Sequence, residues 1–251
     1  MKNTKFLRRN LLLLKHKMEK SKKKISILIP VFNEKNTVEA ALKRVWEVDF
    51  PNYEKEIIVI DDGSTDGSEK ILDALKTKFN FILLRHQSNR GKGAALRTGL
   101  DKASGDLIII QDADLEYDPF DYQILLNAWG EEFPVVYGSR NLHPVRKRGY
   151  FLYYFGSKLV SLFLNLLLGQ KLTDIYTCYK LLPAPLIKGL KLESNGFEIE
   201  AEITVKIIKK GVPIKEVPIN YSPRKFSEGK KIKFKDGLKA FLIIIKYKFF
   251  Q

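Results

Sequence analysis

The stretch Leu107 to Tyr117, LIIIQDADLEY, most constrains what this chain can fold into. Leu107 to Ile110 form a short, unbroken apolar run of the kind that fills a strand buried on both faces of a parallel sheet. The run gives way to Asp112, Ala113 and Asp114, with Glu116 just beyond. Carboxylates at alternate positions therefore leave the sheet at its carboxyl edge, where open α/β sheets bind their ligands. Such crowded carboxylates repel one another unless a cation lies between them, and hard oxygen ligands favour Mg²⁺, Mn²⁺ or Ca²⁺. Magnesium takes one or two protein carboxylates and completes its shell with water and substrate phosphates. The stretch reads as a metal–diphosphate site. The alternative is an acidic turn ahead of a helix that Asp118 and Pro119 would start.

The same pattern recurs upstream. Ile25 to Pro30 (ISILIP) reads as a first strand followed by Asn33 and Glu34, and Glu56 to Ile60 (EIIVI) as a second that stops at Asp61 and Asp62. Phe81 to Leu84 is a third strand, Leu107 to Ile110 the fourth, and Pro134 to Tyr137 a fifth that ends at Gly138, Ser139 and Arg140. Helices are expected between them: from Thr37, as cap, to Glu47; over Ser68 to Lys78 behind Asp66 as cap; over Ala94 to Lys102; and over Tyr122 to Trp129. Strands alternating with helices predict a doubly wound, mostly parallel α/β sheet. Right-handed connections put the acidic strand ends on one edge. Gly91-Lys92-Gly93 lacks the spacing of a phosphate-binding P-loop and of a dinucleotide fingerprint. It reads as a tight turn into a helix, with Arg90 and Lys92 still candidates to face a phosphate.

The 251 residues are enough for one substantial core without disulfides. The single Cys178 excludes a disulfide framework and a multi-cysteine zinc site. A formal charge of +15 implies an anionic partner: nucleic acid, an anionic membrane surface or phosphorylated substrates. The lysines are scattered while the carboxylates converge, which argues against nucleic acid. No signal peptide and no membrane span are expected, since Lys158 and Asn165 interrupt the apolar segment from Tyr150 to Gly169. Residues 1–24 form a basic extension, either a solvated tail or a contact with lipid headgroups.

Beyond Arg140 the character changes. Arg146, Lys147 and Arg148 precede an apolar, aromatic segment running to Leu168. Its apolar residues cover nearly every helical face, which suits an interfacial helix better than one side of a small core. Phe197 to Lys209 reads as a helix with Glu198 and Glu202 on one face, Val212 to Tyr221 as an edge strand because of Pro213 and Pro218, and Pro223 to Lys233 as a basic loop. Gly237 to Phe250 reads as an amphipathic helix. The expected layout is a basic extension over 1–24, a catalytic domain over 25–235 and a C-terminal amphipathic helix over 236–251.

Taken together and in order, the motifs resemble those of the family 2 glycosyltransferases of GT-A fold. The closest likeness is to the polyprenyl-phosphate sugar transferase branch that includes dolichol-phosphate mannose synthase. They are Ile29-Pro30-Val31-Phe32-Asn33-Glu34, Ile60-Asp61-Asp62-Gly63-Ser64-Thr65-Asp66-Gly67, Asn89-Arg90-Gly91-Lys92-Gly93, Asp112-Ala113-Asp114-Leu115-Glu116 and Gly138-Ser139-Arg140. Thr173-Asp174 with Thr177-Cys178-Tyr179-Lys180, Pro223-Arg224 and Glu228-Gly229-Lys230-Lys231 complete the set. The resemblance implies a Rossmann-like, mostly parallel sheet with interfacial amphipathic helices and an inverting transfer from GDP-mannose or a UDP-sugar to a polyprenyl or dolichyl phosphate. Pro30, Asn33, Glu34, Asp61, Asp62 and Lys92 would hold the nucleotide donor. Asp112 and Asp114, with Glu116 beside them, would hold Mg²⁺ or Mn²⁺. Arg140, Arg148 and Arg224 would meet the donor or acceptor phosphates, and the Lys230–Lys231 pair would close with Arg224 over the site. The protein would be cytoplasmic and bound peripherally to the membrane, helped by a membrane partner protein. Glu116 departs from the Gln often found at its position. The rival within the fold is transfer to a saccharide hydroxyl, which needs a base, with Asp174 the candidate.

Overall fold

The computed structural model describes residues 22–142, 151–224, 231 and 234–250. In chain order the elements are β1 (Lys23–Val31), α1 (Val38–Glu47), β2 (Tyr53–Asp61), α2 (Ser68–Lys76), β3 (Ile82–Arg85), α3 (Lys92–Lys102) and β4 (Leu107–Ile110). A 3-10 turn over Pro119–Asp121 leads into α4 (Tyr122–Ala128) and β5 (Val135–Ser139). Then follow α5 (Phe151–Leu168), β6 (Lys180–Pro183), α6 (Ala184–Lys188), α7 (Ile199–Lys209), β7 (Ile214–Pro218) and α8 (Phe234–Phe249).

The strands make one seven-stranded sheet in the order β3-β2-β1-β4-β6-β5-β7. β1 runs parallel to both β2 and β4, and β2–β3 and β5–β7 are also parallel. β6 runs antiparallel to β4 and to β5. The chain winds outward from β1 through β2 and β3, then returns to place β4 on the other side of β1. That reversal opens a crevice beyond the carboxyl ends of β1 and β4, where doubly wound sheets bind ligands. Glu34 follows the first of these strands and Asp112 and Asp114 follow the second.

All of β4 is buried, as its apolar run requires, and Ile25, Ile27, Leu28, Ile29, Ile58, Val59 and Ile60 are wholly inaccessible. β7 is an edge strand, consistent with its prolines. β6, by contrast, carries no strand signal that sequence reading identified, yet it sits inside the sheet. β1 begins at Lys23, within the stretch assigned to the basic extension, and α7 begins at Ile199, so Glu198 lies just before the helix rather than on its face. Thr37 stands at the start of α1, but its hydroxyl donates to Glu34 Oε2 at 2.7 Å instead of capping the helix. Asp66 does act at a helix start: its Oδ1 accepts from the Ser68 backbone at 3.0 Å and from the Ser68 hydroxyl at 2.6 Å.

α5 and α8 close a second core with α7. Val160, Leu164, Leu172, Ile175, Ala201, Val205, Ala240, Ile244 and Tyr247 are buried together, and Phe163 meets Phe241 edge-on at 4.9 Å. This absorbs one face of the apolar segment. On the other face Phe155, Leu159, Leu162 and Leu166, spaced at helical intervals, stand in solvent, as do Leu238, Leu242 and Phe249 on α8. Among the described residues no helix is long and apolar enough to cross a membrane.

Candidate active site

The loop after β4 carries the acidic centre. Leu115, between Asp114 and Glu116, adopts φ 62°, a left-handed conformation that a branched side chain rarely takes. The turn directs the Glu116 N–H back to Asp114 Oδ1 at 3.1 Å. Burial raises the Asp114 pKa. Repulsion from Asp112 and Glu116 adds to this, the Arg224 guanidinium only partly offsets it, and the carboxyl is pushed up to about 7.

Each carboxylate has a different set of partners. Lys92, in the first turn of α3, places its ammonium 2.7 Å from Asp112 Oδ1 and 3.1 Å from Glu200 Oε1. Burial opposes this charge, but Asp112 and Glu200 outweigh it and hold the Lys92 pKa well above the usual lysine value. Lys92 therefore lies behind the acidic loop as a counter-ion. Gly91 and Gly93 are explained in the same way: a Cβ on either would collide with the backbone of Ser194 or Asn195. These glycines allow the 194–195 loop to pack on the start of α3, where Arg97 also donates to Ser194 O and to Asn195 Oδ1.

Asp114 Oδ2 accepts from Arg224 at 3.1 Å. The same guanidinium reaches both oxygens of Glu34, at 2.9 and 3.2 Å. Lys231 adds a second cation to Glu34, at 2.5 Å from Oε1, and also donates to Phe32 O. Glu116, expected at the metal, is committed elsewhere: Oε2 accepts from the Tyr221 hydroxyl at 2.5 Å and Oε1 from the Arg224 backbone at 2.8 Å. Ser222 N–H to Glu116 O and two bonds from Asn220 to Asp121 complete a zipper that lays residues 220–224 along the acidic loop. Among the described residues no group of three or more Asp, Glu, His or Cys is arranged to hold a metal ion. The acidic centre thus offers the pair Asp112 and Asp114 towards the crevice, while the Glu116 carboxylate meets Tyr221 and the Arg224 backbone.

The residues expected to hold the nucleotide are brought to the same edge. Pro30 pairs in register with Ile60 near the end of β1. Asn33 takes φ 51°, a conformation asparagine tolerates, and its Oδ1 accepts from Thr65 N at 2.8 Å. Asp61 and Asp62 are buried and serve the protein itself. Asp61 accepts from Ser64 N at 3.0 Å, while Asp62 accepts from Arg90 N at 2.9 Å and Gly91 N at 2.8 Å and lies 2.6 Å from His86 Nδ1. Their positions shape the loops around the crevice.

Arg140 lies at the end of β5 and forms a bidentate pair with Asp174, both contacts at 2.7 Å, with its guanidinium 5.1 Å from the Tyr221 ring. Asp174 is fully buried, and its backbone and that of Thr173 donate to Glu216 at 2.9 and 2.7 Å. Arg148 and Lys230, with Arg146 and Lys147, lie outside the described residues. Sequence reading passed over Glu200, Tyr221 and Glu216, and gave Lys180 a place in a motif but no role. The available signal for Glu200 was a carboxylate between Ile199 and Ala201, two positions from both Glu198 and Glu202.

Known proteins share the fold and parts of the sequence. The family described as Glycosyl transferase family 2 matches residues 26–190. A dolichol-phosphate mannosyltransferase of Pyrococcus furiosus is 27% identical over 213 residues, covering 82% of this chain and 59% of that protein. A prophage bactoprenol glucosyl transferase homolog of Escherichia coli is 39% identical over 121 residues, covering 47% of this chain and 39% of its own length. The chain thus spans less than two thirds of either relative. Among solved structures, glucosyl-3-phosphoglycerate synthase of Mycobacterium tuberculosis, in complex with Mn²⁺, UDP and glucosyl-3-phosphoglycerate, superposes with a TM-score of 0.69. It is 19% identical and covers 90% of this chain and 80% of that one. At that identity the likeness establishes the shared fold.

Proposed function

Because this chain belongs to glycosyl transferase family 2, we propose that it transfers a hexose, with inversion, from a nucleotide sugar such as GDP-mannose or a UDP-sugar to a polyprenyl phosphate at a membrane surface. One observation carries the reading: Arg224 and Lys231 meet the acidic groups at the switch-point crevice, and an amphipathic helix with an exposed apolar stripe starts three residues beyond Lys231. Lys231 touches Glu34, and α8 starts at Phe234, so chain reach alone puts the helix start within about 11 Å of Lys231. A polyprenyl phosphate presents the same succession, an anionic head and a long hydrocarbon tail. The names of the Pyrococcus and Escherichia relatives both specify a polyprenol.

The residues present fit a divalent cation. Asp112 and Asp114 are crowded enough to raise the Asp114 pKa, and the Arg224 guanidinium lies against Asp114 much as a cation would. Mg²⁺ or Mn²⁺ held by Asp112 and Asp114 would neutralise charge on the departing nucleoside diphosphate. The protein's own groups do the rest. An acceptor phosphate oxygen attacks the anomeric carbon as the bond from that carbon to the diphosphate oxygen breaks, and the diphosphate leaves with the electron pair. A phosphate monoester is mostly dianionic near neutral pH, with a second pKa of about 6, so no base has to remove a proton. Arg224 and Lys231, with Arg148 and Lys230, position that phosphate, and guanidinium groups suit it by their fork of donors. Transfer to a saccharide hydroxyl is disfavoured because Asp174, the candidate base, is buried and clamped by Arg140.

The exposed apolar stripes of α5 and α8 would rest in the lipid interface and bring the site to its acceptor. The test is transfer of radiolabelled sugar to polyprenyl phosphate in vesicles, with GDP- and UDP-sugars screened as donors. Efficient transfer to soluble saccharides with none to the lipid phosphate overturns the reading.

A further inference from the structure

Behind the acidic pair runs a chain of alternating charges that sequence reading did not anticipate. Asp112 pairs with Lys92, Lys92 with Glu200, and Glu200 with Lys180. The four residues come from the loop after β4 and from α3, α7 and β6. Lys180 and Glu200 are inaccessible, and Lys180 is further tied to the carbonyls of Ile175 and Thr177. Burial of such ions is costly unless each has a partner, so the arrangement is held as a unit. Asp112 alone of the four keeps appreciable access to the crevice, with 22% of its side chain exposed, and Lys92 addresses its Oδ1.

We infer that Glu200 is a positioning residue for the metal centre: by sharing the Lys92 ammonium, it prevents Lys92 from closing into an exclusive ion pair with Asp112 and so leaves Asp112 able to bind a divalent cation. The inference rests on the proposed metal-dependent transfer. Without the Glu200 carboxylate, the buried ammonium has Asp112 as its remaining anionic partner, and a cation entering the crevice must compete with it. Removing the ammonium together with the carboxylate lifts that competition. A purely structural ion pair predicts no such rescue.

The experiment measures Mn²⁺ binding by electron paramagnetic resonance, with GDP and with UDP as sugar-free probes. Sugar contacts then play no part. Glu200→Gln, which keeps the side-chain shape, should weaken Mn²⁺ binding about tenfold, within the range for residues coupled in one ionic network. The double variant Lys92→Met with Glu200→Gln should return to within about threefold of wild type. Circular dichroism melts check that each variant folds, with Lys180 still held by the Ile175 and Thr177 carbonyls. Should Glu200→Gln alone not fold, the double variant decides, because loss of binding in a folded Lys92→Met/Glu200→Gln protein contradicts the shared-ammonium argument. Unchanged binding in Glu200→Gln overturns this inference alone. Absence of Mn²⁺ binding by wild type overturns the metal reading and this inference with it.

Discussion

Asp114→Asn should stabilise the metal-free protein while removing its activity. The Asp114 carboxyl is desolvated and repelled by Asp112 and Glu116, so its pKa is pushed up to about 7 in the folded protein, against about 3.9 in an unfolded chain. The folded state therefore binds this proton more tightly than the unfolded state. Stability from this group is fully present below about pH 4, is lost as pH rises towards 7, and the penalty is complete above that. The shift sets a ceiling of about 4 kcal/mol on the penalty. Asparagine removes the charge but weakens the Arg224 contact at 3.1 Å, and a hydrogen bond to a charged group contributes about 1.5–3 kcal/mol. The net gain at pH 8 is then about 1–2 kcal/mol, or about 2–8 °C in Tm for a chain of this size. Thermal melts of both proteins in chelator from pH 5 to pH 8 test this. The gain should grow with pH. A variant less stable than wild type at pH 8, or a difference independent of pH, refutes the electrostatic account of the acidic loop.

Asp112→Asn should lower sugar transfer by about 10²–10³-fold with the fold retained, since it removes a charged ligand from the cation that stabilises the leaving group; an active variant in assays with metal controlled would refute the role. Because Asp114 must lose its proton before binding metal, Mn²⁺ affinity should fall by up to about tenfold per pH unit below about 7, and calorimetry in buffers of different ionisation enthalpy should register proton release at pH 6. Arg224→Ala should reduce kcat/KM for polyprenyl phosphate about ten- to hundredfold yet tighten Mn²⁺ binding in the absence of donor, since Arg224 competes for Asp114; a parallel loss of both would exclude that competition. Leu162→Asp with Leu166→Asp, placed on the exposed face of α5, should abolish flotation with anionic vesicles, and salt should weaken wild-type binding; unaffected flotation would show that α5 is not the contact.

The residues that sequence could reveal are those whose role depends on local pattern. β4 was legible because four apolar side chains in succession can be buried only on two faces, and the structure buries all four. Asp112, Asp114 and Glu34 were legible because strand ends on one edge of a parallel sheet converge by topology. What sequence could not supply was long-range pairing. β6 escaped notice because Lys180-Leu-Leu-Pro has the length of a strand but begins with a lysine, and a lysine inside a sheet is costly to bury unless polar partners, here two carbonyls and a carboxylate, meet it. That carboxylate is Glu200, distant in sequence and on a different element. Glu116 shows the same limit. Its spacing from Asp112 and Asp114 is that of a third ligand, whereas its partners, Tyr221 and the Arg224 backbone, lie about a hundred residues away. The apolar segment over 150–168 was read as interfacial because it is apolar all round, and the structure divides that property in two. One face is consumed by α7 and α8 in a second core, and the other is left as a stripe from Phe155 to Leu166. Hydrophobicity alone could not apportion the faces, because the apportioning partner, α8, lies some seventy residues downstream. Beyond the edge strand β7, Arg224 meets Asp114 and partly offsets its burial and repulsion, and Lys231 meets Glu34 three residues before α8 begins. On the proposed reading, a cation at the acidic pair and a lipid surface against the exposed stripe of α8 would act on opposite ends of the span from Arg224 to α8.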